Sequence, residues 1–297
     1  MKILECVPNV SEGRDPSVIH AIARAVQGVA GVRLADVHSD PDHHRSVFTF
    51  LGQPEAVETA ALALAEAALA RIDMRTRQGV HPRLGAVDVV PFVPLREATM
   101  AETVSVARQF GRAVAENFDL PVYFYGEAAM RPERRELPEI RRGEYEGLPA
   151  KLSDPAWTPD AGPADFSPQS GAMVVGARKI LVAFNVWLDG NDLGVAQAIA
   201  RAIRQSSGGL PSVQAIGVRL PRRGAVQIAI NLIDYHRTSL GDVLEAVERE
   251  AKAKGAKIAR RELVGLVPGE ALTGADPKTL GLDLSPEQIL ETHFPKT

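Results

Sequence analysis

A chain of 297 residues with 45% hydrophobic residues, 24% charged residues and a net charge of −3 is long enough for two domains or one large one. That charge gives no reason to expect nucleic acid as a partner, two Trp and four Tyr offer few stacking platforms, and a single cysteine, Cys6, excludes an intrachain disulfide and a thiolate metal cluster. The N-terminal MKILECVPNVSEG lacks the apolar core of a signal peptide and no apolar run approaches bilayer-spanning length, so the expectation is a cytoplasmic protein with no membrane partner.

In chain order, residues 3–7 form a short apolar run ending at Pro8 and predict a strand, followed by a turn over 9–13 that carries Glu12. Asp15 is a candidate N-cap with Pro16 at the first helical position, and Val18, Ile19, Ile22, Ala23 and Val26 follow at helical spacing up to Gly28. Strands are expected at 32–37 and 46–51, on either side of the polar HSDPDHHR. Pro54 opens a second helix whose apolar face is Val57, Ala61, Leu64, Ala65, Ala68 and Ile72. A strand over 86–93 completes a βαββαβ unit, which a helix over 100–117 and a strand over 122–125 extend. Residues 131–147 and 155–168 read as linker and binding loop rather than core.

The order then recurs. A strand over 180–186, a helix capped by Asp192, a strand pair at 213–220 and 226–233, a helix capped by Thr238 or Ser239, and a strand over 257–264 make a second βαββαβ unit. The expected fold class is therefore α/β of the α+β kind, with two consecutive split-βαβ, ferredoxin-like subdomains over residues 1–177 and 178–297. A groove where two such units meet would be a natural ligand site.

Four stretches could carry chemistry. His81 precedes Pro82, which drives it out of the helical region, and lies between Gly79 and Gly85 with Arg75, Arg77 and Arg83 around it. An imidazole titrating near neutrality among arginines suits an anionic substrate, and the alternative is a surface histidine in an ordinary connection. Asp36, His38, Asp40, Asp42, His43, His44 and Arg45 supply nitrogen and oxygen donors of the kind that bind a divalent metal, so a metallohydrolase is the runner-up to a metal-free reading. The arginines and glutamates of 131–147 read as a solvated helix face with local ion pairs, the alternative being attraction of a polyanionic tail. Residues 160–171, DAGPADFSPQSG, are either an inter-domain linker or a binding loop in which Phe166 stacks on a flat ring and glycines admit its edge to backbone amides.

The stretches ECVPNVSEG at 5–13, RSVFTFLGQPE at 45–55 and IDMRTRQGVHPRLGAVDVVPFVP at 72–94 resemble the glutamate formimidoyltransferase family, folate enzymes of histidine degradation. So do LPVYFYGEAA at 120–129, RRGEYEGLPAKL at 141–152, DAGPADFSPQSGA at 160–172, GARKILVAFNVWL at 176–188 and LVGLVP at 263–268. The resemblance implies two split-βαβ subdomains with a ligand tunnel between them, assembled as a homodimer. With no cyclodeaminase half after Thr297, a stand-alone transferase is expected. It also implies transfer of the formimidoyl group from N-formimidoyl-L-glutamate to N5 of tetrahydrofolate, with folate as co-substrate, its tail in some cases polyglutamylated, and no metal.

The catalytic histidine of HPRLGAVD falls at His81, and the folate loop at Gly162, Pro163, Ala164, Asp165, Phe166, Ser167, Pro168, Gln169, Ser170 and Gly171. Asn9, Glu12, Asp36, Asp40 and Arg45 are the substrate-binding candidates, Arg45 for a carboxylate and Asp36 or Asp40 to orient an imidazole or meet the amidinium. The chain departs from the family at Ala161 and Ser170, where aromatics are common, and at His44, where animal relatives carry Asn. Two alternatives share the fold: a transferase using 5-formyltetrahydrofolate or another formyl donor, and a folate-binding protein without turnover.

Overall fold

The computed structural model describes residues 1–273, 280–282 and 284–294. The chain divides into two compact units, Met1–Arg178 and Lys179–Thr297. Each has its own sheet and its own apolar core, giving a mixed α/β protein with seven α-helices among the described residues.

The first unit runs β1 (Leu4–Cys6), β2 (Asn9–Val10), α1 (Pro16–Gln27), β3 (Val32–Asp40), β4 (Arg45–Gly52), α2 (Pro54–Leu69), β5 (Val87–Pro94), α3 (Met100–Phe118), β6 (Val122–Gly126), α4 (Leu137–Arg141), α5 (Glu144–Leu152) and β7 (Met173–Ala177). Both β1 and β2 lie between β4 and β5, forming one strand interrupted at Val7–Pro8, where proline has no N–H to give the ladder. The predicted turn over 9–13 therefore begins as strand. Across the sheet, β3, β4, the β1/β2 strand and β5 pair antiparallel, and β5, β7 and β6 pair parallel.

The helices start where the sequence marks them. Asp15 accepts hydrogen bonds from the Ser17 and Val18 amides, and Thr99 and Glu102 form a reciprocal capping box at α3. Ile19, Ile22 and Val26 of α1, the expected face of α2, and Phe110 and Val114 of α3 bury against Leu4, Cys6, Phe48, Phe50 and Phe92 on one side of the sheet. The period of two sends Val89, Tyr123, Tyr125 and Val174 to the other side, where Ile140, Leu148 and Leu152 of α4 and α5 cover them.

Three expectations change here. Residues 131–147 are core-covering helices rather than linker, and Arg134 is fully buried. The segment 173–177, unassigned to any element in the sequence, is β7 at the heart of the sheet between β5 and β6. The loop over 160–171 thus leads into the sheet of the first unit and is no inter-domain linker.

In the second unit β8 (Val182–Leu188), α6 (Leu193–Ile203), β9 (Val213–Leu220), β10 (Ala225–Leu232), α7 (Leu240–Ala253) and β11 (Ile258–Val264) follow in sequence. The sheet order is β11-β8-β10-β9 with all neighbours antiparallel. Asp192 caps α6, and Ser239 with Asp242 caps α7. Ile199 and Ile203 of α6 and Val243, Leu244 and Val247 of α7 close the core over Phe184, Val186, Ile228 and Ile230.

Glu5 sits between Leu4 and Cys6 and so faces away from the helical core, in register with Leu51 and Val93. Burial raises its carboxyl from 4.5 to about 7, only partly offset by the Arg178 guanidinium. Because the folded value lies above the unfolded one, Glu5 favours the fold fully below pH 4.5, and this is lost as pH rises through about 7. Glu5→Gln is expected to flatten that slope and to gain on the order of 3 kcal/mol over the parent at pH above the folded value. Urea titrations across pH test it, and parallel curves for the two proteins would refute it.

Candidate active site

His81 is partly buried on the loop between a short helical turn at Met74–Thr76 and β5. Its Nδ1–H donates to the Pro82 carbonyl at 2.7 Å, which leaves Nε2 as the basic nitrogen, and Arg45 Nη1 donates to Nε2 at 2.5 Å. Burial, then Arg45, with Arg141 and His43 adding, holds the imidazole well below its usual range. His81 is therefore a neutral base at neutral pH. Arg45 is itself lowered to about 10 by burial and by Arg141, against the opposing pull of Asp88 and Asp40. The His43 ring lies 5.7 Å from the His81 ring, centroid to centroid.

The loop is anchored by backbone and carboxylates. Asp88 accepts the Leu84 amide at 2.8 Å through one oxygen and pairs with Arg141 through the other. Gly79 fits because a Cβ there would stand 2.1 Å from the His43 carbonyl, so the His81 loop presses directly on the β3–β4 turn. Val80 N–H completes that contact by donating to Asp42 O at 3.1 Å.

The substrate-binding candidates divide. Arg45 touches His81. Asp40 stands opposite Arg45 in the ladder, but one carboxylate oxygen accepts the Asp42 and His43 amides at 2.8 Å each, so it shapes the turn beneath the site. Asp36 is in register with Thr49, four positions along β3 from Asp40. Glu12 is 1% exposed, and its carboxylate receives the Arg14 amide at 2.7 Å, the Asp15 amide at 2.9 Å and Arg77 Nη2 at 2.9 Å. It organises the loop from within rather than facing outward. Asn9 is buried on the strand between Val47 and Val89, and its amide donates to Val7 O at 2.9 Å.

His44 adopts a positive φ of 52° and its Nδ1 accepts the Gly13 amide at 3.1 Å. Among the described residues no three His, Cys, Asp or Glu side chains gather in a way that could hold an ion.

The loop over 162–171 comes to the same place. Gly171 bridges Gly85, the Ala86 amide donates to Ser170 O at 2.9 Å, and the Met74 amide donates to Gln169 O at 2.9 Å. Ala164, Asp165, Pro168 and Gln169 remain exposed. Gly162 and Gly171 have positive φ, 79° and 70°, and a Cβ at either would stand 2.2 Å from a backbone carbonyl, Leu120 or Leu84. Both glycines let the backbone pack closely against those carbonyls. Phe166 packs against Tyr145 at 5.5 Å.

Two family models cover the chain, the N-terminal subdomain of the formiminotransferase domain over residues 3–178 and the formiminotransferase domain over residues 183–277. The chain belongs to the formiminotransferase family. It is 39% identical to the glutamate formimidoyltransferase of Streptococcus pyogenes serotype M1, over 99% of each chain. It is 42% identical to that of Thermoplasma acidophilum, over 92% of this chain and 90% of the relative. It is also 45% identical to the formimidoyltransferase-cyclodeaminase of Rattus norvegicus, over 92% of this chain but 52% of that one. The chain thus spans about half the length of the bifunctional relatives it matches.

Asp88 joins this candidate site without having been singled out in the sequence, while His43 was read in the candidate metal cluster and Arg141 in the charged face of 131–147. A lone carboxylate inside the apolar run GAVDVVPF was the available signal for Asp88. Nothing in the charge pattern of 131–147 separates Arg141 from its neighbours.

Proposed function

We propose that the chain transfers the formimidoyl group from N-formimidoyl-L-glutamate to N5 of tetrahydrofolate, releasing L-glutamate. The observation that carries the reading is a neutral imidazole whose basic nitrogen, His81 Nε2, is held beside two guanidinium groups and next to the 162–171 loop. In the reaction N5 attacks the formimidoyl carbon, the C–N5 bond forms, and the C–N bond to glutamate breaks. N5 must lose a proton and the departing glutamate nitrogen must gain one, so one group can carry the same proton from one to the other. His81 starts as the base, as that sequence requires, and returns as the acid.

Arg45 occupies Nε2 in the ligand-free protein. A substrate carboxylate offers the guanidinium a stronger, charge-assisted partner, which frees Nε2 for the proton. Arg141, paired with Asp88 and close enough to lower Arg45, would support the same anion. The exposed 162–171 loop would lie over the folate ring system. The sheet order of the second unit supports the ferredoxin-like reading of its fold. The family resemblance carries a cytoplasmic homodimer, which light scattering tests.

A donor panel tests the activity. Tetrahydrofolate is mixed with formimidoyl-glutamate, formyl-glutamate or 5-formyltetrahydrofolate, and product absorbance and free glutamate are followed. Formimidoyl-glutamate is expected to give both signals in equal amounts. Turnover with a formyl donor alone would move the assignment to that donor, and folate binding without any turnover would leave a binding protein.

A further inference from the structure

We infer that Tyr145 is the positioning residue that sets the 162–171 loop against the His81 loop and so governs affinity for tetrahydrofolate; this rests on the folate reading of the site given above. Tyr145 touches both loops at once. Its backbone N–H donates to Arg83 O at 2.8 Å, two residues after His81, and its hydroxyl donates to Pro168 O at 2.6 Å. Its ring packs on Phe166 at 5.5 Å, with the Arg83 guanidinium 5.8 Å from the ring centroid.

The surrounding chain is built to hold it there. Gly143 and Glu144 both take positive φ, 89° and 55°, reversing the chain just before Tyr145. Arg83 is fixed in turn by Glu146 Oε1 at 2.7 Å and by the Arg77 carbonyl at 3.2 Å. The bonds of Gln169 and Ser170 tether the end of the loop and Phe166 also packs on the apolar cluster under α4 and α5, while Tyr145 joins the middle of the loop, through Phe166 and Pro168, to the His81 loop. The partners of His81 itself are Pro82 and Arg45, and Tyr145 is bonded to neither. Loosening Tyr145 therefore affects how folate is held and leaves the proton chemistry in place.

The experiment compares Tyr145→Phe, which removes the hydroxyl, with Tyr145→Leu, which removes the ring as well. One lost hydrogen bond predicts a KM for tetrahydrofolate about threefold to tenfold higher, and loss of the aromatic pair extends this to roughly thirtyfold. The dissociation constant for tetrahydrofolate from equilibrium titration should rise in step. The turnover number at saturating folate and the KM for formimidoyl-glutamate should stay within about twofold of the parent, with unchanged near-ultraviolet circular dichroism. Unaltered folate KM in both variants, or a turnover number that falls in step with KM, would overturn the role of Tyr145 while the parent still transfers the group. A parent protein that neither binds nor uses tetrahydrofolate would overturn the folate reading and this inference together.

Discussion

His81→Asn is expected to slow formimidoyl transfer by roughly two to four orders of magnitude, the yield of positioned acid–base catalysis, while tetrahydrofolate still binds. Asparagine keeps a polar group of similar reach but cannot take up a proton. The pH profile carries a second signature. Because burial and Arg45 hold the imidazole well below its usual range, the active neutral form persists through neutrality, and kcat/KM falls only as pH drops through the lowered value. The acid limb thus lies below the ordinary imidazole value of about 6.5. His81→Asn should abolish that limb. Stability follows the same sign: the contribution of neutral His81 is present above the unfolded imidazole value and is lost as pH falls, opposite to that of Glu5. A folded His81→Asn protein with near-parental rates would remove His81 from the chemistry.

The largest expected loss of stability belongs to Arg134→Leu. Arg134 has no exposed surface, pairs with the 4% exposed Asp160 at 2.6 Å, and donates to the Thr158 carbonyl at 2.7 Å and the Ala156 carbonyl at 3.2 Å. Its guanidinium stands 5.0 Å from the Tyr123 ring and 5.6 Å from the Trp157 ring. Removing it strips a buried carboxylate and two carbonyls of this donor, which costs about 3–5 kcal/mol. Asp160 also receives the Phe124 amide at 2.8 Å, so the stranded carboxylate is one that ties the segment leading into the candidate folate loop to β6. Urea denaturation gives the loss directly, and Asp160→Asn in the same chain should recover part of it. A loss under about 1 kcal/mol would mean the pair behaves as a solvent-exposed bridge does.

Arg134 also marks where the sequence stops being informative. Arg131, Arg134, Arg135, Arg141 and Arg142 look alike in a stretch of mixed charge, and the solvated-face reading fits Arg142, which pairs with Glu139 three residues away, and the exposed Arg135. Arg134 is instead a core residue and Arg141 a site residue, because their partners Asp160 and Asp88 are 26 and 53 residues distant. Local pattern cannot carry such separations. The same limit hid β7, whose five residues follow a loop rich in Pro and Gly and become a strand through parallel partners on both sides. It also hid the extension of β3 to Asp40, where a polar stretch stays extended because Asp40 itself closes the hairpin.

What could be read locally was read well. Asp15, Asp192 and Ser239 cap the helices they were expected to cap, and the apolar face of α2 is the one its spacing predicted except at Ile72, which is buried but lies past the end of the helix at Leu69. His81 stood out because the proline after it and the glycines around it impose a stiff loop whatever the tertiary context. Its neutrality did not, because burial and the approach of Arg45 from another strand are properties of the folded chain.

The most direct test of the account follows the transferred carbon itself. Formimidoyl-glutamate labelled at the formimidoyl carbon is mixed with tetrahydrofolate and the protein, and nuclear magnetic resonance tracks the label over a single turnover. The account predicts that the label moves onto N5 of the folate as free glutamate appears, and that His81→Asn binds both reactants yet leaves the label on glutamate over the same time. Label that stays on glutamate with the parent protein, or moves equally fast in the variant, would contradict it.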